Sequence, residues 1–91
     1  MSFHARKSYG LAPLEWLVFL YILGKGEATN TELEDQFWPN STNCKGTRQT
    51  TISKINTKLN PKIRKSPFEG YYFTKQEQLA HKNRIEELDR E

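Results

Sequence analysis

The chain has one cysteine, Cys44, and two histidines, His4 and His81. A single thiol excludes an internal disulfide framework and a cysteine-rich zinc site, and two distant histidines form no metal-ligand cluster. Neither a metal nor a cofactor is expected. Long apolar runs are also missing. The longest, Trp16–Leu23, holds eight residues, where a membrane-spanning helix needs about 20. A signal peptide fits little better. Arg6 and Lys7 precede the run, but Pro13 and Glu15 interrupt the approach, and Gly24-Lys25-Gly26-Glu27 offers no small-x-small cleavage site. A core helix is the better reading, and with one free thiol and no export signal the expected compartment is the cytoplasm. Catalytic patterns are absent too. No glycine-rich phosphate loop follows a strand pattern, and no serine or cysteine stands in a plausible frame with histidine and acid. Glu32, Glu34 and Asp35 fit capping and helix-dipole roles instead, so an enzyme is not expected.

What the 91 residues do hold is eleven aromatics and an uneven distribution of charge. Five Phe, four Tyr and two Trp supply enough buried area to argue against disorder. The length suits one domain whose stability margin is thin and which gains from a partner subunit. Net charge is only +3, yet residues 41–68 carry Lys45, Arg48, Lys54, Lys58, Lys62, Arg64 and Lys65 with no acid. Half of all the bases therefore fall in one carboxylate-free window, while residues 11–40 carry one base against five acids. Solvated helix faces mix signs. Segregation of this kind is the footprint expected for a polyanion, duplex DNA first and structured RNA as an alternative.

Residues 1–10 read as a short arm, polar apart from Phe3 and Tyr9 and closed by Gly10. Pro13 suits the first turn of a helix. In it Leu14, Leu17, Val18 and Tyr21 form one stripe while Trp16, Phe19, Leu20 and Leu23 fill the other side, so the helix reads as central in the core. Gly24 and Gly26 end it. Thr29 with Glu32 has the form of a capping box, with Thr31 and Glu34 as an alternative register. The helix it opens turns Leu33 and Phe37 inward and stops at Trp38-Pro39. Residues 40–46 read as a loop. Thr47 opens a third helix to about Leu59, with Ile52, Ile55 and Leu59 as its apolar stripe. Lys62–Lys65 and Tyr71–Phe73 read as the strands of a hairpin, with one of Tyr71 and Tyr72 inward and the other outward. Thr74 with Glu77 caps a last helix to about Asp89. The expected class is α+β, mainly α, with an arm (1–10), a domain (11–74) and a C-terminal helix (75–91).

Several segments resemble, in order, the effector domains of two-component response regulators, which are winged helix-turn-helix DNA-binding domains. Leu11-Ala12-Pro13-Leu14-Glu15-Trp16 is similar to their Leu-Thr-Pro-x-Glu-Phe opening. Thr29–Leu33 followed by Phe37-Trp38-Pro39 resembles their second helix. Ile52-Ser53-Lys54-Ile55-Asn56-Thr57-Lys58-Leu59 resembles their recognition helix, and Glu69-Gly70-Tyr71-Tyr72-Phe73 their wing strand. The chain departs from that pattern at Asn56, where an arginine is typical, and at Glu69, in place of the first wing glycine. It also adds a C-terminal helix, and no receiver domain is expected. The resemblance implies a third helix in the major groove and a hairpin wing on the backbone, as in a transcriptional regulator of a prokaryote or its phages and plasmids.

Under that reading Thr50, Ser53, Lys54 and Thr57 face the groove. Lys54 reaches guanine acceptors, the threonine methyls touch thymine, and Gln49 pairs with adenine if it turns inward. Lys58, Lys62, Arg64 and Lys65 lie along phosphates, with Lys45 as a further phosphate ligand. Arg48 falls on the side of Ile52 and Ile55 but at the first turn is expected to swing out to phosphate. His4 and His81 read as solvated side chains. In the last helix Leu79 is expected to pack back on Tyr71 or Phe73, leaving His81, Ile85 and Leu88 to join a homodimer. No membrane or small-molecule partner is expected. The rival reading is a winged-helix protein-interaction module, an adaptor or inhibitor that does not bind DNA.

Overall fold

The computed structural model describes residues 3–90, with side-chain surroundings from Ala5 onward. His4 and Glu91 lie outside those described side chains. Pro13 occupies the first turn of the central helix α2 (Pro13–Lys25), and Gly26, at φ 85°, ends it, its N–H donating to the Ile22 carbonyl. Before it, the expected arm is a helix, α1 (Phe3–Tyr9), closed by Gly10 at φ 72°. Ala5 and Tyr9, four residues apart, bury one face of this short helix. That burial depends on the far end of the chain, which is why local composition does not announce it.

Strand β1 (Glu27–Thr29) follows α2, and α3 (Asn30–Phe37) begins at once. The capping box is the one the spacing predicts: Glu32 N–H donates to Thr29 Oγ1 at 3.0 Å and Thr29 N–H to Glu32 Oε1 at 3.2 Å. Helix α4 (Cys44–Lys58) starts a turn earlier than Thr47. The Cys44 thiol donates to the Ser41 carbonyl at 3.1 Å and Thr47 N–H to the Asn43 carbonyl at 3.1 Å.

Strands β2 (Arg64–Ser66) and β3 (Gly70–Tyr72) form the expected hairpin. β1 joins it as a third strand, giving an antiparallel sheet in the order β1-β3-β2. The register sets Ala28 and Lys65 on either side of Tyr71, and Glu27 and Arg64 on either side of Tyr72. Tyr71 is buried and Tyr72 half-buried, as alternation requires. A Cβ at Gly70 would lie 2.5 Å from the Ala28 carbonyl, so β1 can pair this closely only with glycine there. β1 carries only one core residue, Ala28, and lies outside the apolar patterns from which strands are read. Helix α5 (Lys75–Asp89) is capped by Thr74 and Glu77, the Glu77 N–H donating to Thr74 Oγ1 at 3.2 Å. No helix among the described residues is long and apolar enough to cross a membrane.

Three expectations about packing are corrected. Leu14 and Leu17 are 42% and 46% exposed, so α2 buries Trp16, Val18, Phe19, Ile22 and Leu23 and leaves one side to solvent. Leu79 is exposed rather than packed on Tyr71 or Phe73, while Ile85 and Leu88 rest partly buried against the core. His81 is not solvated: it is 1% exposed, with Phe19, Phe73 and Tyr9 rings centred 5.1, 5.2 and 5.7 Å away. Its Nε2 lies 2.7 Å from the Pro61 carbonyl and its Nδ1 2.9 Å from the Tyr9 hydroxyl. A carbonyl only accepts, so Nε2 carries the proton and Nδ1 accepts from Tyr9 in the neutral ring.

Burial holds the His81 ring below its ordinary pKa, the Pro61 carbonyl opposing this and Arg84 adding to it. A histidine kept neutral in the fold but free to protonate when unfolded lowers stability as pH falls below about 6.5, and leaves it unaffected above. Denaturation midpoints are therefore expected to be flat above about pH 7 and to fall from there toward about pH 5. His81→Gln should be less stable throughout but level across that window. A wild-type midpoint that rises on acidification would contradict this account.

Candidate nucleic-acid interface

Helix α4 divides cleanly. Arg48, Thr51, Ile52 and Ile55 are buried, and Lys45, Gln49, Thr50, Ser53, Lys54, Thr57 and Lys58 are exposed. No carboxylate belongs to the helix. The expected face of Thr50, Ser53, Lys54 and Thr57 thus lies in solvent. The Thr57 hydroxyl donates to the Ser53 carbonyl at 2.9 Å. Its lone pairs remain open to a donor, and its methyl is exposed with it.

Asn56 fixes how this helix meets the hairpin. Its Oδ1 accepts from Ile63 N–H at 2.8 Å and its Nδ2 donates to the Ile63 carbonyl at 3.1 Å. Both backbone groups of the residue before β2 are satisfied by one side chain of α4. The role is missed from sequence, where Asn56 counts only as a departure from the expected arginine. Between helix and hairpin runs a groove of about 350 Å³ lined by Gln49, Ile52, Ser53, Asn56, Ile63, Lys65 and Tyr71.

The basic residues do not act as one set. Arg48 is the clearest correction: it is 4% exposed and paired with Glu34 of α3, so it does not swing out. Arg64 and Lys65 are split by strand alternation. Lys65 shares the sheet face of Tyr71 and lines the groove, whereas Arg64 lies on the face of Tyr72. The Arg64 Nε donates to both Glu77 oxygens of α5 at 2.9 and 3.0 Å. This contact, foremost, holds the Glu77 carboxyl below its ordinary range and raises the guanidinium. Lys58 lies 3.5 Å from Glu15, and Lys62 donates to the Asn56 carbonyl. Lys45, Lys54 and Lys65 are exposed and make no ion pair among the described residues.

The hairpin turn is held from two sides. Phe68 N–H donates to Ser66 Oγ at 3.1 Å, and Asn30 N–H to the Glu69 carbonyl at 2.8 Å. Glu69 takes the left-handed conformation at φ 54°, and Phe68 stands 85% exposed at the tip. Among the described residues, no group of three His, Cys, Asp or Glu side chains could share a metal ion. No family model, curated protein or solved structure matches the chain.

Because the Arg48 guanidinium is buried and Glu34 is its acid, removing either partner should act on the fold first. Glu34→Ala is expected to cost about 2–3 kcal/mol in denaturant unfolding, since it strands a buried charge. Converting both residues to apolar ones of similar size should recover part of that loss. Additive losses in the double variant would show that the pair carries no coupling.

Proposed function

We propose that the chain is a small winged helix-turn-helix DNA-binding protein, with α4 in the major groove and the β2–β3 hairpin as wing. It would serve as a transcriptional regulator of a prokaryote or its mobile elements. The single observation that carries the reading is the exposed, acid-free face of α4 continuing through the groove to Lys65 on the hairpin. The order α2-β1-α3-α4-β2-β3 supports it, because the packed pair α3 and α4 is followed directly by the β2–β3 hairpin of a three-stranded sheet. Lys54 and Gln49 supply the groups that read guanine and adenine edges, and Thr50, Ser53 and Thr57 supply short hydroxyls and methyls. Lys45, Lys62 and Lys65 supply phosphate charge at the helix start, the helix end and the wing. Arg48 and Arg64 leave the DNA-binding set and become parts of the scaffold. The protein-interaction reading draws its support from the exposed Leu14 and Leu17 on α2.

The test is a binding titration on duplex DNA at several salt concentrations. Three or four phosphate contacts per copy give a log–log slope of roughly −3 to −4. Lys65→Ala should weaken every sequence alike and flatten the slope by about 1. Lys54→Ala should cost about 1–3 kcal/mol on a preferred site and less on random duplex. Arg64→Ala should leave affinity near wild type. Binding indifferent to salt, or none at low salt, overturns the DNA reading in favour of the protein-interaction one. Equal losses for Arg64→Ala and Lys65→Ala would overturn the placement of the wing.

A further inference from the structure

Helix α5 presents an exposed strip whose one ion pair among the described residues lies at its far end, where Arg90 donates to Glu86 at 2.6 Å. Leu79, Lys82, Glu86 and Asp89 recur at steps of three, four and three, so they share one side of the helix, and all four are exposed. Leu79 is 58% exposed although it is one of the few large apolar residues of α5. Lys82, Glu86 and Asp89 also line a groove of about 350 Å³ between α5 and the end of α2, whose apolar lining is Leu20, Leu23 and Ile85. The groove thus begins one turn beyond Leu79 on the same side of the helix. It sits on a braced frame, because Gln78 Nε2 donates to the Leu23 carbonyl at 2.9 Å.

The charges of α5 say what fits there. Its first part carries Lys75, Lys82 and Arg84 against Glu77, which is already held by Arg64. Its last part carries Glu86, Glu87 and Asp89, and the one base that follows, Arg90, is held by Glu86, which leaves the end of the helix negative through Glu87 and Asp89. The helix is positive toward its start and negative toward its end. A second α5 laid antiparallel sets each positive half on a negative half, and a parallel one opposes like charges. With the two-fold axis at residue 84, Lys82 faces Glu86 of the second copy. Leu79 faces its Asp89, over the open groove.

We propose that two copies of the chain pair through antiparallel α5 helices, each Leu79 seated over the Leu20–Leu23–Ile85 groove of the other. The contact set replaces the expected one: His81 is spent in the core and Leu88 packs against it, while Ile85 takes part from within the groove. The inference rests on α5 and α2 and stands independently of DNA binding. Two helices of about 22 Å make a modest interface, so the dimer is reversible.

Sedimentation of the full chain over a wide concentration series tests it. Wild type should associate to a dimer. Lys82→Glu and Glu86→Lys should each raise the dimer dissociation constant at least about tenfold, because each sets like charges across the axis twice. Leu79→Ser should weaken the dimer without changing any charge. All three positions are exposed, and circular dichroism should show the variants folded. Mixed in equal amounts, the two charge variants should associate again, since the two acids of one copy then face the two lysines of the other. A monomeric wild type at every concentration, charge variants that dimerise like wild type, or a mixture that stays monomeric would each overturn the proposal.

Discussion

The imidazole of His81 is where the distant parts of the chain meet. It reaches from α5 to the Tyr9 hydroxyl of α1 on one side and to the Pro61 carbonyl, at the end of α4, on the other. The rings of Phe19 from α2 and Phe73, next to β3, close around it. Tyr9 is drawn in by the same contacts: it packs at a tilt against Trp16 and Phe19 with ring centres 5.5 and 5.3 Å away, and Arg84 lies over its ring. Burial raises the Tyr9 hydroxyl above its ordinary pKa, with Arg84 opposing, so it stays a donor to the neutral imidazole. A polar ring in this place is tolerated only because both of its nitrogens are bonded. The bonds in turn fix where α1, α5 and the α4–β2 connection lie relative to α2.

With that frame set, the front of the molecule follows from smaller constraints. The Arg48–Glu34 pair holds α3 against α4, the Asn56 amide holds α4 against the hairpin, and Glu77 holds Arg64 against α5. Each removes charge or hydrogen-bonding capacity from the surface. What is left outward on α4 and on the groove face of β2 is short hydroxyls, one amide and unpaired lysines. A surface of that composition attracts an anion without a competing internal acid, which is the electrostatic basis of the proposed interface. Its charge is more modest than that of the whole basic window, because three of that window's seven bases, Arg48, Lys58 and Arg64, already face acids.

The elements with strong local chemistry were legible from sequence. Pro13, the Thr29–Glu32 and Thr74–Glu77 boxes and the tyrosine-rich strand all act where their spacing places them. The outward face of α4 was legible for the same reason, since helical period alone separates Ile52 and Ile55 from Thr50 and Lys54. What stayed hidden depends on contacts far apart in the chain. α1 becomes a helix with a buried face through α5, and β1 becomes a strand through β3. His81 and Leu79 exchange their expected places because the aromatic cluster, invisible as a unit in sequence, takes the histidine. One separation was within reach: the alternation that parts Tyr71 from Tyr72 also parts Lys65 from Arg64.

Amide chemical shifts followed residue by residue while a short duplex is titrated in show which face of the protein meets DNA. The largest changes should run through Gln49–Lys58 and Arg64–Ser66, on α4 and β2 around the groove. Asp35, Gln36 and the α5 strip should stay still. Changes centred on Leu14 and Leu17, or confined to α5, would contradict the assignment of α4 and β2 as the binding face.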